Sequence, residues 1–158
     1  MADKAKLRIF FILLALTLHS CENEKNDVIP DWYVDFTIDL EDFPTLTTTF
    51  GAVIVNKNDL RIPKREYAGG FNGNGIIIIY TSDEYIPFYA YDRTCPHDYS
   101  VDQSSVKVNL DFVHAICPKC STTYELATGG YPISGPGRYR LKNYKTQYSG
   151  RFLRVWNY

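Results

Sequence analysis

Two short loops constrain this chain more than anything else in it: "RTCPHDYS" at 93–100 and "ICPKCSTTYEL" at 116–126. In each, a cysteine is followed at once by proline, and a second donor stands close behind, His97 after Cys95 and Cys120 after Cys117. Proline fixes the backbone of a tight turn and removes an N–H, so short spacings of this kind aim two side chains at one point. Each loop ends an apolar strand, "YIPFYAYDR" (85–93) and "DFVHAI" (111–116), which holds it rigidly. The pattern predicts a metal site assembled by two loops on a β scaffold, with Cys95, His97, Cys117 and Cys120 as donors.

The remaining sequence supplies that scaffold. "YVDFTIDL" alternates Val34, Phe36, Ile38 and Leu40 with polar neighbours, the period of a half-buried strand. "GAVIVNK" gives a second strand. "AGGFNGNG" (68–75) is a glycine-rich turn leading into "IIIIYTS", a run apolar on both faces and therefore pressed under a second sheet. No helix, Lys or Ser/Thr follows these glycines as a phosphate cradle requires. "SVDQSSVKVNL" is expected to make a strand and a turn. "LKNYKTQYSGRFLRVWNY" reads as two strands joined at Ser149-Gly150, offering Phe152, Val155 and Trp156 to the core. Thirteen Tyr and nine Phe against a single Met favour pleated sheet over helical bundles. The 158 residues suffice for one domain, and a net charge of −1 provides no field to gather nucleic acid.

The first twenty residues carry Lys4, Lys6 and Arg8, then an apolar run from Ile9 to Leu18 too short to span a bilayer, which marks 1–20 as a secretory signal. It ends at "LHSC", which resembles the lipobox of bacterial lipoproteins. That resemblance makes Cys21 the lipid anchor, the chain's contact with the membrane. The alternative is an ordinary signal peptide that leaves Cys21 as a spare thiol. The polar "ENEKNDVIPD" makes 21–31 a flexible tether ahead of a domain at 32–158. Acidic residues directly after the cysteine resemble export signals of Bacteroidetes surface lipoproteins. The expectation is a protein exported and anchored in the bacterial envelope, on the periplasmic or surface face of the outer membrane. With no paired arginines in the signal, the chain is expected to travel unfolded and to acquire any metal outside.

After processing, three thiols remain, an odd number that argues against a plain disulfide framework. At these residues the chain resembles the Rieske-type iron-sulfur proteins, whose ligands are Cys-x-His and, some fifteen to twenty residues on, Cys-x-x-His. Nineteen residues separate His97 from Cys117. Tyr124 matches the aromatic after the second box, "ATGG" (127–130) the hairpin turn that follows, Gly135-Pro136 the loop covering the cluster, and Leu141 and Tyr144 the return to the base sheet. The likeness runs from Ile76 to Val155. It implies an all-β fold, a Rieske-like antiparallel sandwich or barrel with a small two-loop cluster-binding subdomain at about 93–137. It also implies a 2Fe-2S cluster held by Cys95 and Cys117 on one iron and by His97 and Cys120 on the other. The departures are Cys120 in place of the second histidine, Ser121 in place of a usual glycine, and Tyr99 where glycine is common.

Two functions follow from these residues. A three-cysteine, one-histidine cluster would be a one-electron carrier serving an unidentified redox partner protein. Its potential would lie between the about −400 mV of all-cysteine clusters and the about −150 to +300 mV of two-histidine ones. Alternatively the same residues hold a structural zinc, or Cys117 and Cys120 form a disulfide. Around one zinc all donor pairs lie about 3.5 to 4 Å apart, whereas around a cluster Cys95 and Cys117 stand clearly farther from His97 and Cys120. Catalysis is not expected: the chain leaves no room for an oxygenase domain, and no Ser-His-Asp arrangement is present. His114 is expected to be a packed or surface-exposed strand histidine, Lys119 a solvent-facing loop lysine, and Tyr85, Tyr89, Tyr91 and Tyr131 cross-strand packing residues.

Overall fold

The computed structural model describes residues 28–158; the expected signal, Cys21 and most of the expected tether lie outside the described residues. Among the described residues, ten strands form two antiparallel sheets. The larger, in the order β1-β10-β9-β4-β3-β2, contains β1 (Asp35–Asp39), β2 (Ala52–Val55), β3 (Ile76–Tyr80), β4 (Phe88–Asp92), β9 (Asn143–Ser149) and β10 (Phe152–Trp156). The smaller is a meander of β5 (Asn109–Asp111), β6 (His114–Ile116), β7 (Thr123–Glu125) and β8 (Pro132–Ser134). The all-β, antiparallel architecture with a small loop-bearing subdomain is thus the one observed.

Alternation dictates which side chains face inward. Val34, Phe36, Ile38 and Leu40 are all buried, as their period demands. The four isoleucines of β3 are fully buried because this strand is the wall between two cores. Ile76 and Ile78 pack with Val34, Phe36, Val155 and Leu153, whereas Ile77 and Ile79 pack with Tyr91, Tyr124, Cys95 and Cys117. Each such side chain contributes about 1.5–3 kcal/mol by leaving water, so β3 fixes the smaller sheet to the larger.

Four details differ from the sequence expectations. Residues 96–102 form a helix, α1 (Pro96–Asp102), in place of the tight turn expected at 95–97 and the start of the strand and turn expected over 100–110, because Pro96 sits at the first helical position, where its missing N–H is not needed. The strand expected in that region is confined to Asn109–Asp111, preceded by a bridge between Thr94 and Lys107. In β10, Leu153 and Val155 point inward, leaving Phe152 45% exposed and Trp156 only half-buried. Tyr85 is 88% exposed in the β3–β4 loop, where no cross-strand neighbour covers it. Within the expected tether, Ile29 is fully buried, and Lys142 Nζ donates to the Ile29 carbonyl at 2.8 Å and to Asp31 at 2.6 Å.

A buried carboxylate joins the glycine turn to the strand that delivers the first cysteine. Asp92, wholly buried at the end of β4, accepts from the Phe71 N–H and the Tyr144 hydroxyl, each at 2.6 Å, and from the Thr94 N–H at 2.8 Å. Gly70, at φ +64°, permits this approach: a Cβ there would lie 2.8 Å from Asp92 Oδ2.

Candidate metal centre

The backbone of the first loop leaves β4 through Thr94 and is held by the Cys95 N–H donating to Val106 O at 2.8 Å. Cys95 then caps α1, and one helical turn carries Asp98 to the same side, three residues on. The second loop leaves β6 at Ile116 and turns back within five residues. Ser121 N–H donates to Cys117 O at 3.0 Å, and Cys117 N–H to Thr122 O at 2.9 Å. The reversal places Ser121 at φ +60°, the left-handed region that explains the glycine usual at this position in the family it resembles.

These two turns bring together Cys95, Cys117, Cys120 and Asp98, with one donor atom from each lying within 4.8 Å of all the others. Cys95 Sγ is 3.6 Å from Cys120 Sγ, and the Cys117 thiol donates to Asp98 Oδ2 at 2.8 Å. Cys95, Cys117 and Asp98 are buried, Cys120 is half-buried, and all three thiols are free. Burial lifts the Cys95 thiol far above its usual range, with the Asp98 side chain adding to the rise and the Tyr124 hydrogen bond opposing it. Burial, then the Asp98 carboxylate, pushes Cys117 up to about 11. Opposing this, the backbone N–H groups of Asp98 at Cys95, and of Cys120 and Lys119 at Cys117, favour thiolates. Protonated at neutral pH when alone, the Cys95 and Cys117 thiols become anionic donors when a cation arrives.

Supporting contacts surround the four. The Tyr124 hydroxyl lies 3.3 Å from Cys95 Sγ, and Thr122 Oγ1 3.2 Å from Cys120 Sγ. Gly137 N–H donates to Thr122 Oγ1 at 2.9 Å, and a Cβ on Gly135, at φ +85°, would come within 2.6 Å of Thr122 Cα. The Gly135-Pro136 loop therefore lies directly against the second cysteine turn, with Pro136 itself exposed. Lys119 is solvent-facing and reaches Asp102 at 2.6 Å and Ser104 at 2.9 Å, tying that turn to the end of α1.

His97, expected as a donor, is half-buried on α1 and is not among the converging groups; Asp98, its neighbour, is. His114 faces Glu125 across β6 and β7, with Nε2 3.2 Å from Oε2. Asp98 joins the three thiols at a place the sequence pattern assigns to His97. Its signal was present: Cys-Pro-His-Asp and Cys-Pro-Lys-Cys have the same length, with a donor three residues after the leading cysteine in both.

The converging groups differ from the expected set in two respects. Cys95 and Cys120, assigned to different irons, lie 3.6 Å apart, a separation appropriate to two donors of one ion. The fourth converging group is a carboxylate in place of an imidazole.

No family model matches the chain, and no curated protein does. Among solved structures, it is similar to a ferredoxin of Sphingomonas yanoikuyae B1, at 13% identity over 66% of this chain and 85% of that one, with a TM-score of 0.41. It is also similar to a putative NADPH nitrite reductase small subunit, at 15% identity over 79% of this chain and 98% of that one, also with a TM-score of 0.41.

Proposed function

We propose that this chain is an exported lipoprotein, anchored to the bacterial envelope through Cys21, whose Rieske-type domain is a metal-binding module and not an enzyme. The observation that carries the metal-binding reading is the convergence of three free thiols and a carboxylate within 4.8 Å at the meeting point of two loops. A thiolate-rich site closed by four protein donors leaves no position for substrate or water, so its metal contributes folding energy and fixes the loops. Cys95, at the N-cap of α1, and Asp98, within its first turn, hold the metal from one side, and Cys117 and Cys120 from the β6–β7 turn. The anchoring reading rests on the lipobox-like "LHSC" and the apolar run before it.

One-electron transfer through a 2Fe-2S cluster, passed to a partner protein, is the second reading. It is favoured by the Tyr124 hydroxyl at Cys95 and by the glycine-proline loop packed on Thr122, features a structural zinc does not require. Metal and acid-labile sulfide analysis of the full chain purified anaerobically, with its electron-spin-resonance spectrum, separates the two. One metal per chain without sulfide is expected; two irons with two sulfides would establish the cluster instead. Mass analysis of the envelope-extracted protein tests the anchor, which requires acyl groups on Cys21.

A further inference from the structure

We infer that Asp98, and not His97, is the fourth ligand of a single tetrahedral ion of the zinc class, so that the two loops are equivalent half-sites, Cys-Pro-x-Asp and Cys-Pro-x-Cys. The inference deepens the metal-binding reading and rests on it.

Spacing is the first ground. A donor at the third position after a cysteine, with proline between, occurs in both loops, whereas His97 falls at the second position in only one. The Cys117–Cys120 turn shows what this spacing achieves, with N–H groups of Lys119 and Cys120 directed at the leading sulfur. The first loop repeats the device through the Asp98 N–H at Cys95, as the first turn of a helix.

Charge is the second ground. Asp98 is 4% exposed and enters no ion pair among the described residues, and its side chain is met by the thiols of Cys117 and Cys95. A carboxylate withdrawn from water needs a cation or several donors, and thiols are weak donors. A divalent ion between the four groups supplies the missing charge and converts the thiols to thiolates in the same step, releasing their protons to solvent. Lys119, beside the site, and the inward N–H groups offset part of the negative charge that remains.

The donor chemistry sets the class of ion. Three sulfurs and one carboxylate oxygen suit a borderline-soft, four-coordinate ion such as Zn²⁺, with bonds of about 2.3 Å to sulfur and about 2.0–2.2 Å to oxygen. They do not suit Ca²⁺ or Mg²⁺, which take six or more oxygens.

The test is Co²⁺ and Zn²⁺ titration of the full chain in detergent micelles, under reducing anaerobic conditions, for the native protein and H97A, D98N and D98C. Native protein and H97A are expected to give the same intense tetrahedral Co²⁺ spectrum with thiolate charge transfer. D98N should bind more weakly by more than the about 10- to 100-fold that an outer partner is worth. D98C should restore tight binding, with stronger charge transfer from the added thiolate. Should D98N fail to fold, rescue by D98C and indifference to H97A still decide the assignment. Loss of binding in H97A with D98N unaffected would overturn the assignment and leave the metal-binding reading intact. No uptake of either ion by the native chain would overturn both.

Discussion

The hydroxyl of Tyr124 lies 3.3 Å from the Sγ of Cys95, and both residues are fully buried. Burial, reinforced by the neighbouring Cys95, raises the Tyr124 phenol so far that it remains a donor throughout the physiological range. Tyr124→Phe keeps the ring in the core and removes only this bond, so it should cost about 1 kcal/mol of stability. A shift in the denaturant midpoint without a change in slope checks this; an unchanged midpoint would show the contact to be idle.

Ser121 holds φ +60° where a glycine would be unstrained. Ser121→Gly should therefore stabilise the protein by about 1 kcal/mol. Thermal melting of the two proteins decides it, and destabilisation would mean that the serine side chain has an unrecognised role.

The close fit of the covering loop gives the opposite sign at Gly135. An added Cβ meets the Thr122 backbone at 2.6 Å from a left-handed residue, and backbone cannot step aside as a side-chain tip can. Gly135→Ala should lose about 2 kcal/mol or more and weaken metal retention. Chelator-driven metal release, followed by dye, should be faster in the variant.

At Asp92, both carboxylate oxygens accept, one from Phe71 N–H and Tyr144 O–H and the other from Thr94 N–H. Asp92→Asn sets an amide N–H against a backbone N–H and should cost about 1–3 kcal/mol. Tyr144→Phe removes one donor only and should cost less. Parallel urea titrations give the order.

The pH dependence follows from the thiols. Cys117 is raised from its ordinary 9.0 to about 11 in the folded, metal-free state. The folded chain thus keeps a proton that the unfolded chain gives up. This contribution is whole below the unfolded value and is lost as pH climbs from about 9 to about 11. Melting temperatures of metal-free protein should fall over that interval. The metal-bound form, whose thiols are already deprotonated, should not show this fall and should instead lose metal toward acid.

Strand periodicity was legible because one face of each strand meets the core: Val34, Phe36, Ile38 and Leu40 announce β1, and the four isoleucines announce a strand covered on both sides. α1 was hidden because "PHDYSVD" has no apolar face to betray a helical period, only a proline whose positional meaning is ambiguous. The three cysteines were legible as donors. The fourth member was obscured by an imidazole one residue earlier, and only the helical turn, absent from any strand-and-loop picture, brings Asp98 around to them. In β10 the composition pointed at Phe152, but pairing with Ser149 sets the parity of the strand and turns Leu153 inward.

The first strand of the larger sheet pairs along its whole length with the last, Asp35 opposite Trp156 and Asp39 opposite Phe152. The Arg154–Asp35 ion pair across this seam spans 119 positions of sequence. Synthesis from the N-terminus therefore leaves β1 without this neighbour until Phe152–Trp156 have emerged. A chain truncated before Phe152 would present β1 as an open, apolar strand edge, a template for aggregation that β10 removes by pairing with it.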